Sequence, residues 1–124
     1  MKFGYTIVYV DDVEATIAFY ERAFGLQRAS VMGDEYGELA TGETKLAFAA
    51  KKMMHGPAQF AAPGDKPLAV EVALVTDNVQ AAYDKALAAG AKAAAKPEKK
   101  PWGQTVAYVR DNNGFLVEIC TPVG

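Results

Sequence analysis

The chain has 124 residues, of which 51% are hydrophobic and 23% charged, a balance typical of one soluble globular domain. Its formal net charge of -2 argues against electrostatic binding to nucleic acid or to an anionic membrane. With no signal-peptide pattern, no apolar run long enough to span a bilayer and a single cysteine, Cys120, the sequence predicts a cytoplasmic protein without an intrachain disulfide.

The first predicted elements are an apolar strand over residues 3–10 and a helix over residues 11–25. Asp11, with Glu14 three residues later, predicts a capping box at the start of the helix, and Gly25 predicts a left-handed stop at its end. One face of the helix carries apolar residues at helical spacing, namely Val13, Ile17, Tyr20 and Phe24.

Three more strands complete the first half, at residues 27–32, 36–40 and 45–50. Thr41-Gly42-Glu43 is the predicted turn between the last two. The segment 51–67 holds three prolines and two glycines, and we interpret it as a linker.

The second half repeats this order, with a strand over residues 70–75 and a helix over residues 76–91. Asp77 with Gln80 repeats the capping box, and Gly90 repeats the stop. The apolar stripe is Val79, Tyr83 and Ala86. The pairs Asp11/Asp77 and Val13/Val79 are each 66 residues apart, which indicates an internal duplication.

Strands are predicted near residues 92–95 and at residues 105–110 and 115–121. The turn Asp111-Asn112-Asn113-Gly114 joins the last two. The sequence therefore predicts an α+β fold in which a β-α-β-β-β unit is written twice within a single domain. Unit one covers about residues 1–50 and unit two about residues 68–124.

Side chains alternate across a strand, so parity predicts which residues share a face. In the predicted strands the uniformly apolar face should pack on the helices, and Glu71 and Glu118 then project from the other face. By the same parity, four strands direct one residue each away from the helices: Tyr5, Ala47, Glu71 and Glu118.

Several short motifs accompany this duplication. They are Val10-Asp11-Asp12-Val13, Phe19-Tyr20 and Gly25-Leu26 early in the chain, and Pro101-Trp102-Gly103-Gln104, Tyr108-Val109-Arg110-Asp111, Gly114 and Glu118 late in it. In their order they resemble the vicinal oxygen chelate superfamily, which includes glyoxalase I, bleomycin-resistance proteins, fosfomycin-resistance enzymes and extradiol dioxygenases. The resemblance implies sheets curled into an open cup with the helices outside, and a homodimer.

Metal-dependent members of that superfamily hold a divalent ion on four positions, and the resemblance places these at Tyr5, Ala47, Glu71 and Glu118. Ala47 cannot ligate, and the Tyr5 phenol is mostly protonated at neutral pH. A zinc or nickel site favours three or four good ligands, whereas two carboxylates can hold Mg²⁺ or Mn²⁺ loosely. We therefore expect no stable metal site, with a weak site at Glu71 and Glu118 as the alternative.

The candidate ligand-pocket residues each have a functional and a structural interpretation. Glu71 and Glu118 are candidate catalytic groups, because neighbouring carboxylates raise one pKa by repulsion, or they are solvated carboxylates. Trp102 is a ligand platform or the plug of a barrel end. Tyr5, Tyr9 and Tyr108 either contact a ligand through their rings and hydroxyl groups or fill the cup with the hydroxyl group in water.

Three other features favour structural interpretations. His55, the single histidine, makes neither a zinc motif nor a catalytic triad and is predicted to lie on the surface. Cys120 has no activating base in the pattern and is predicted to be a small apolar core residue. The lysine-rich run at residues 96–100 is predicted to be a solvated loop.

Two functions follow from the sequence. One is a binding protein that holds a small organic molecule in the cup without a metal, as bleomycin-resistance proteins do. The other is a metal-dependent lyase, isomerase or dioxygenase, similar to lactoylglutathione lyase, that uses Glu118 with Glu71. A ligand-free interaction module is the third interpretation, and carboxylates on a concave face argue against it.

Overall fold

A computed structural model describes residues 5–53 and 71–122. Contacts divide the chain into two units, residues 1–67 and 68–124. Within the described ranges, no helix is long and apolar enough to cross a membrane. The predicted linker, with His55, lies largely outside the described residues, as do residues 3, 4 and 70 of the predicted strands.

The first unit has one helix and one four-stranded sheet of order β1-β4-β3-β2. Strand β1 runs parallel to β4, and the other neighbours are antiparallel. Its elements are β1 (Tyr5–Val10), α1 (Val13–Phe24), β2 (Gln27–Met32), β3 (Tyr36–Ala40), β4 (Lys45–Ala50) and a short 3-10 helix (Lys51–Met53).

The second unit has the same topology, with a four-stranded sheet of order β5-β8-β7-β6 in which β5 runs parallel to β8. Its elements are β5 (Glu71–Val75), α2 (Val79–Ala88), β6 (Lys92–Lys99), β7 (Thr105–Arg110) and β8 (Leu116–Cys120). The predicted α+β fold with a duplicated β-α-β-β-β unit is therefore confirmed.

The predicted loop at residues 96–100 is wrong. Most of residues 96–100, predicted to be a solvated loop, belongs to β6, which continues to Lys99 and pairs with β7. Strand β6 is at the edge of its sheet. Edge strands tolerate proline and are commonly protected by lysine, which is why Pro97 and its lysine neighbours do not prevent strand formation.

The observed N-cap residues of both helices differ from the predicted ones. The N-caps are Asp12 and Asn78, not Asp11 and Asp77, because the extended backbone continues for one more residue in both units. The side-chain oxygen of Asp12 accepts from the N–H of Ala15 at 2.9 Å, and that of Asn78 accepts from Ala81 at 3.0 Å. The shift is the same in both helices, so the 66-residue offset of the duplication is preserved.

The predicted stops are confirmed, and they use different hydrogen bonds. Gly25, at φ 68°, donates its N–H to the carbonyl of Glu21. Gly90, at φ 107°, donates to Leu87, and the next N–H, of Ala91, reaches back to Ala86. Both glycines adopt the left-handed conformation that residues with a Cβ rarely adopt.

Each helix packs on one face of its own sheet. In the first unit Ile17 contacts β3 at Gly37, where a Cβ would collide with the Ile17 side chain, and Tyr20 packs on Phe48 with ring centroids 4.8 Å apart. In the second unit the buried residues Val79, Tyr83 and Ala86 belong to α2. The other side of each sheet, which carries the residues of opposite parity, is called the helix-free face below.

The position of the first N-cap gives a stability test. Asp12→Ala removes the oxygen that accepts from the N–H of Ala15, and we expect it to lower the free energy of unfolding by about 1 kcal/mol. Asp11→Ala is the matched control, because the Asp11 carboxylate is exposed and pairs with Lys51 at the surface, so its loss should change stability by less than about 0.5 kcal/mol. Urea unfolding of both variants measures the difference, and a larger loss in Asp11→Ala would contradict the assignment.

Candidate functional site

The helix-free face of the second unit brings together the two predicted carboxylates. Glu118 lies in the middle of β8, paired in register with Ala73 of β5 and Tyr108 of β7. Glu71 is the first residue of β5, with the parity of Ala73, so it projects from the same face. Glu118 is half-buried and Glu71 is exposed.

The register of this hairpin is set by its turn. The carboxylate of Asp111 accepts from the N–H groups of Asn113 and Phe115, both at 2.8 Å. Asp111 is itself buried, and these bonds fix the tight turn between β7 and β8. The turn thereby places Tyr108 directly opposite Glu118.

Burial raises the pKa of the Glu118 carboxyl, and a hydrogen bond that its protonated form donates to Glu71, together with the charge of Glu71, raises it further. The two carboxyl groups are therefore close enough to interact. The predicted cause was like-charge repulsion, but desolvation contributes more. A pair in this arrangement holds a proton more tightly than an isolated glutamate does.

Tyr108 and Cys120 complete this cluster. Burial raises the pKa of the Tyr108 phenol, and the charges of Glu118 and Glu71 act in the same direction. Burial and Glu118 likewise raise the pKa of the Cys120 thiol, whose sulfur lies 3.9 Å from the carbonyl oxygen of Leu74. Cys120 is buried and its thiol stays protonated, as the prediction of a small core residue requires.

The helix-free face of the first unit carries the other predicted residues. Tyr5 is 52% exposed and pairs in register with Lys45, while Tyr9 is half-buried. Ala47 is 0% exposed and lies between its register partners Ile7 and Glu38.

A polar network on this face was missed by the sequence analysis. Glu38 is only 8% exposed, and both of its carboxylate oxygens are bound. The Tyr36 hydroxyl donates to Oε1 at 2.9 Å, and the Lys45 ammonium lies 3.0 Å from Oε2. Lys45 first, and Tyr36 second, lower the pKa of Glu38. Burial, followed by Glu38, raises the pKa of Tyr36 to about 12.

The position of this network follows from the β3–β4 hairpin. The Thr41 hydroxyl donates to the carbonyl of Thr44 at 2.8 Å and accepts from the N–H of Leu46 at 3.0 Å. This turn sets Glu38 opposite Ala47. Alternation along residues 36–40 was the signal that places Tyr36 and Glu38 on the face of Lys45. The first unit thus keeps a carboxylate on its helix-free face, one strand away from the position that resemblance indicated.

Trp102 lies in the turn between β6 and β7 and is 66% exposed. Its indole N–H donates to Gln104 Oε1 at 2.9 Å, and the Gln104 amide donates to the carbonyl of Thr121 at 2.7 Å. A large apolar ring is therefore held in a fixed orientation in solvent. The structure places it on the second unit, outside the strands that carry Glu71 and Glu118.

Comparison with known proteins identifies the family. Residues 2–119 match the Glyoxalase/Bleomycin resistance protein/Dioxygenase superfamily. The chain belongs to this superfamily. Its sequence is 27% identical over 115 residues to the uncharacterized protein YraH of Bacillus subtilis, a match that covers 89% of this chain and 90% of YraH.

Solved structures share the fold of this superfamily member. A glyoxalase-related enzyme from Fulvimarina pelagi has a TM-score of 0.83 and 20% identity, over 98% of this chain and 88% of that one. A lactoylglutathione lyase from Agrobacterium tumefaciens has a TM-score of 0.74 and 20% identity, over 97% and 92% of the two chains. At these identities the likeness shows the fold alone.

The side chains fit poorly to the four-ligand metal site of metal-dependent superfamily members. Ala47 has no donor atom, and the nearby carboxylate of Glu38 is already bound by Lys45 and Tyr36. Within residues 5–53 and 71–122, no group of three or more His, Cys, Asp or Glu side chains is arranged to hold a metal ion. The donor set of Glu71 and Glu118 falls short of the three or four ligands that zinc and nickel favour.

The carboxyl pair gives a direct test. Glu71→Gln removes a neighbouring charge while the burial of Glu118 remains, so we expect the pKa of Glu118 to fall part of the way to its ordinary value. An NMR pH titration of the Glu118 carboxyl carbon measures the change. Glu98→Gln, at a solvent-exposed carboxylate of the same unit, is the matched control and should leave that pKa unchanged. An equal pKa in Glu71→Gln and wild type would show that the two carboxyls do not interact.

Proposed function

We propose that this superfamily member binds a small organic molecule on the helix-free face of a sheet, and that binding does not depend on a metal ion. The observation that supports the proposal is the carboxyl cluster of the second unit. Glu118 is half-buried, its pKa is raised, and Glu71 and Tyr108 lie beside it. Two carboxyl groups fall short of the three or four ligands that zinc and nickel favour.

The chemistry of the cluster suggests the kind of ligand. A protonated Glu118 can donate a hydrogen bond through its O–H and accept one through its other oxygen. Tyr108 adds a phenol that stays protonated at neutral pH. Trp102, with its ring exposed and its N–H already bonded, suits stacking on an aromatic or apolar body. We therefore propose an aromatic ligand that carries a hydrogen-bonding group. The homodimer and the cytoplasmic location implied by the sequence remain predictions.

The alternative is an enzyme, either a metal-dependent lyase or isomerase or a dioxygenase. The raised pKa of Glu118 favours it, because a general base works best when its pKa is near the working pH. In this alternative Glu118 abstracts a proton beside a carbonyl, and Glu71 supports it. The fold shared with a lactoylglutathione lyase is compatible with this alternative and does not select it.

Trp102 provides the first functional test. Because it is the single tryptophan, quenching of its fluorescence reports aromatic compounds that bind next to it. For a compound found in this way, Trp102→Ala should weaken binding by about 1–3 kcal/mol if the ring is an anchor. Trp102→Phe keeps an aromatic surface and is the matched control. Isothermal titration calorimetry measures all three proteins, and equal affinity in Trp102→Ala would contradict the platform.

The same compounds separate binding from catalysis. Under the binding proposal, Glu118→Gln keeps affinity within about threefold, because the amide still donates and accepts hydrogen bonds. Under the enzyme alternative, Glu118→Gln abolishes the turnover that the wild-type protein shows, because an amide cannot take up the proton.

Metal content tests the second part of the proposal. Protein purified without chelator should contain far less than one equivalent of metal, and Mn²⁺, Ni²⁺, Zn²⁺ or Mg²⁺ should not raise its melting temperature, because a bound ion would stabilise the folded state. About one equivalent of metal, lost in Glu118→Gln, would overturn the metal-free proposal and favour the enzyme. Glu98→Gln is the control for the loss of one exposed carboxylate.

A further inference from the structure

The network of Tyr36, Glu38 and Lys45 has no part in the function proposed above. We propose that it is a recognition site for an organic carboxylate on the helix-free face of the first unit, with the Lys45 ammonium as the binding group. This inference rests on the proposed function, because it names the chemical class of small molecule that this face binds.

The first step concerns the charge that the site can offer. Glu38 is the acidic group of the network, and each of its oxygens already has a partner, Tyr36 on one and Lys45 on the other. It is also almost completely buried. A cationic ligand or a metal ion would have to displace Lys45 to reach it. The network therefore disfavours cations.

The second step concerns the donors that remain. An ammonium group has three N–H donors. Among the described residues Lys45 has one partner, Glu38, while its side chain is 43% exposed. Two donors are thus left for a ligand. The ion pair also restricts the flexible side chain, so less conformational entropy is lost when an anion binds than at an unrestrained lysine. Glu38 additionally raises the pKa of Lys45, so the group stays charged.

The third step concerns the surroundings of the ammonium. Tyr5 is the register partner of Lys45 on the same face, so its side chain lies next to the network. Tyr5 and Ile7 are both large, apolar and exposed. An exposed apolar surface thus flanks the Lys45 ammonium. This combination suits an aromatic carboxylate better than a small inorganic anion, which would gain nothing from that surface.

The experiment uses matched pairs of ligands, benzoate with benzamide and 1-naphthoate with 1-naphthamide, titrated into the full chain at about pH 7, where both acids are ionised. We expect each carboxylate to bind about tenfold more tightly than its neutral amide, since a charged hydrogen bond is stronger than a neutral one. Backbone amide shifts at Lys45 and Ala47 in NMR spectra locate the site.

Variants separate recognition from a structural ion pair. Lys45→Met should abolish the preference for carboxylate and leave the amides within about twofold, while Lys45→Arg should retain it. Lys52→Met removes the same charge from an exposed pair with Asp34 in the same unit and is the matched control. Because Lys45→Met leaves Glu38 buried without its cation, the double variant Glu38→Gln/Lys45→Met restores neutrality and must show the same loss of preference.

The outcomes discriminate between the two proposals. Amides that bind as tightly as the carboxylates, or a preference that survives in Lys45→Met, would overturn the anion site and leave small-molecule binding intact. A preference that Lys52→Met also abolishes would show a general charge effect and would likewise overturn it. If no member of either series binds while a compound found by quenching of Trp102 does, the anion site is overturned and the proposed function stands.

Discussion

One constraint organises both units: a single helix occupies one face of a four-stranded sheet. Because side chains alternate along a strand, the apolar residues that pack under the helix share one parity, and Glu38, Glu71 and Glu118 lie on the other. In the first unit α1 approaches β3 closely at Gly37. In the second unit α2 buries its apolar residues. The carboxylates stand where they do because the helices have taken the opposite faces.

The two units have the same topology, but the pKa values of their buried carboxyl groups shift in opposite directions. In the first unit a buried carboxylate is neutralised by a lysine and a tyrosine, and its pKa is lowered. In the second unit two carboxyl groups meet, no cation is paired with them among the described residues, and the pKa of the more buried one is raised. Burial of a charge is unfavourable unless it is paired, so an ion pair stabilises the charged carboxylate in one unit, whereas burial favours the protonated form in the other. Duplication therefore preserved the backbone but not the chemistry.

The sequence predicted most of the fold because hydrophobic alternation and turn residues are local signals. The strands at residues 27–32, 36–40, 45–50 and 105–110 agree with the structure, and parity alone placed Glu71 and Glu118 on one face. The N-caps could not be chosen in the same way. Asp11 and Asp12 are adjacent residues of equal capping ability, and only the point where the helical hydrogen bonds begin distinguishes them. The predicted strand near residues 92–95 was shorter than the observed β6, because pairing with β7 outweighs the unfavourable composition of its lysine-rich end.

The candidate site was only partly accessible to the same reasoning. Parity assigns a face, but it does not say which residues become neighbours across strands. The contact between Glu38 and Lys45 depends on the register of the β3–β4 hairpin, which the Thr41 hydroxyl fixes through hydrogen bonds with residues 44 and 46. Resemblance to the superfamily also directed attention to Ala47, whereas the buried carboxylate of this face, Glu38, lies opposite it on the adjacent strand.

Gly37 has a consequence for how this protein tolerates change. It sits between Tyr36 and Glu38 on β3, with its Cα toward the helix and their side chains on the opposite face. Because the Ile17 side chain fills the space of the missing Cβ, the height of this strand relative to α1 is fixed by direct contact. The helix interface and the polar face therefore share one strand, and a change in packing under α1 will also move Tyr36 and Glu38.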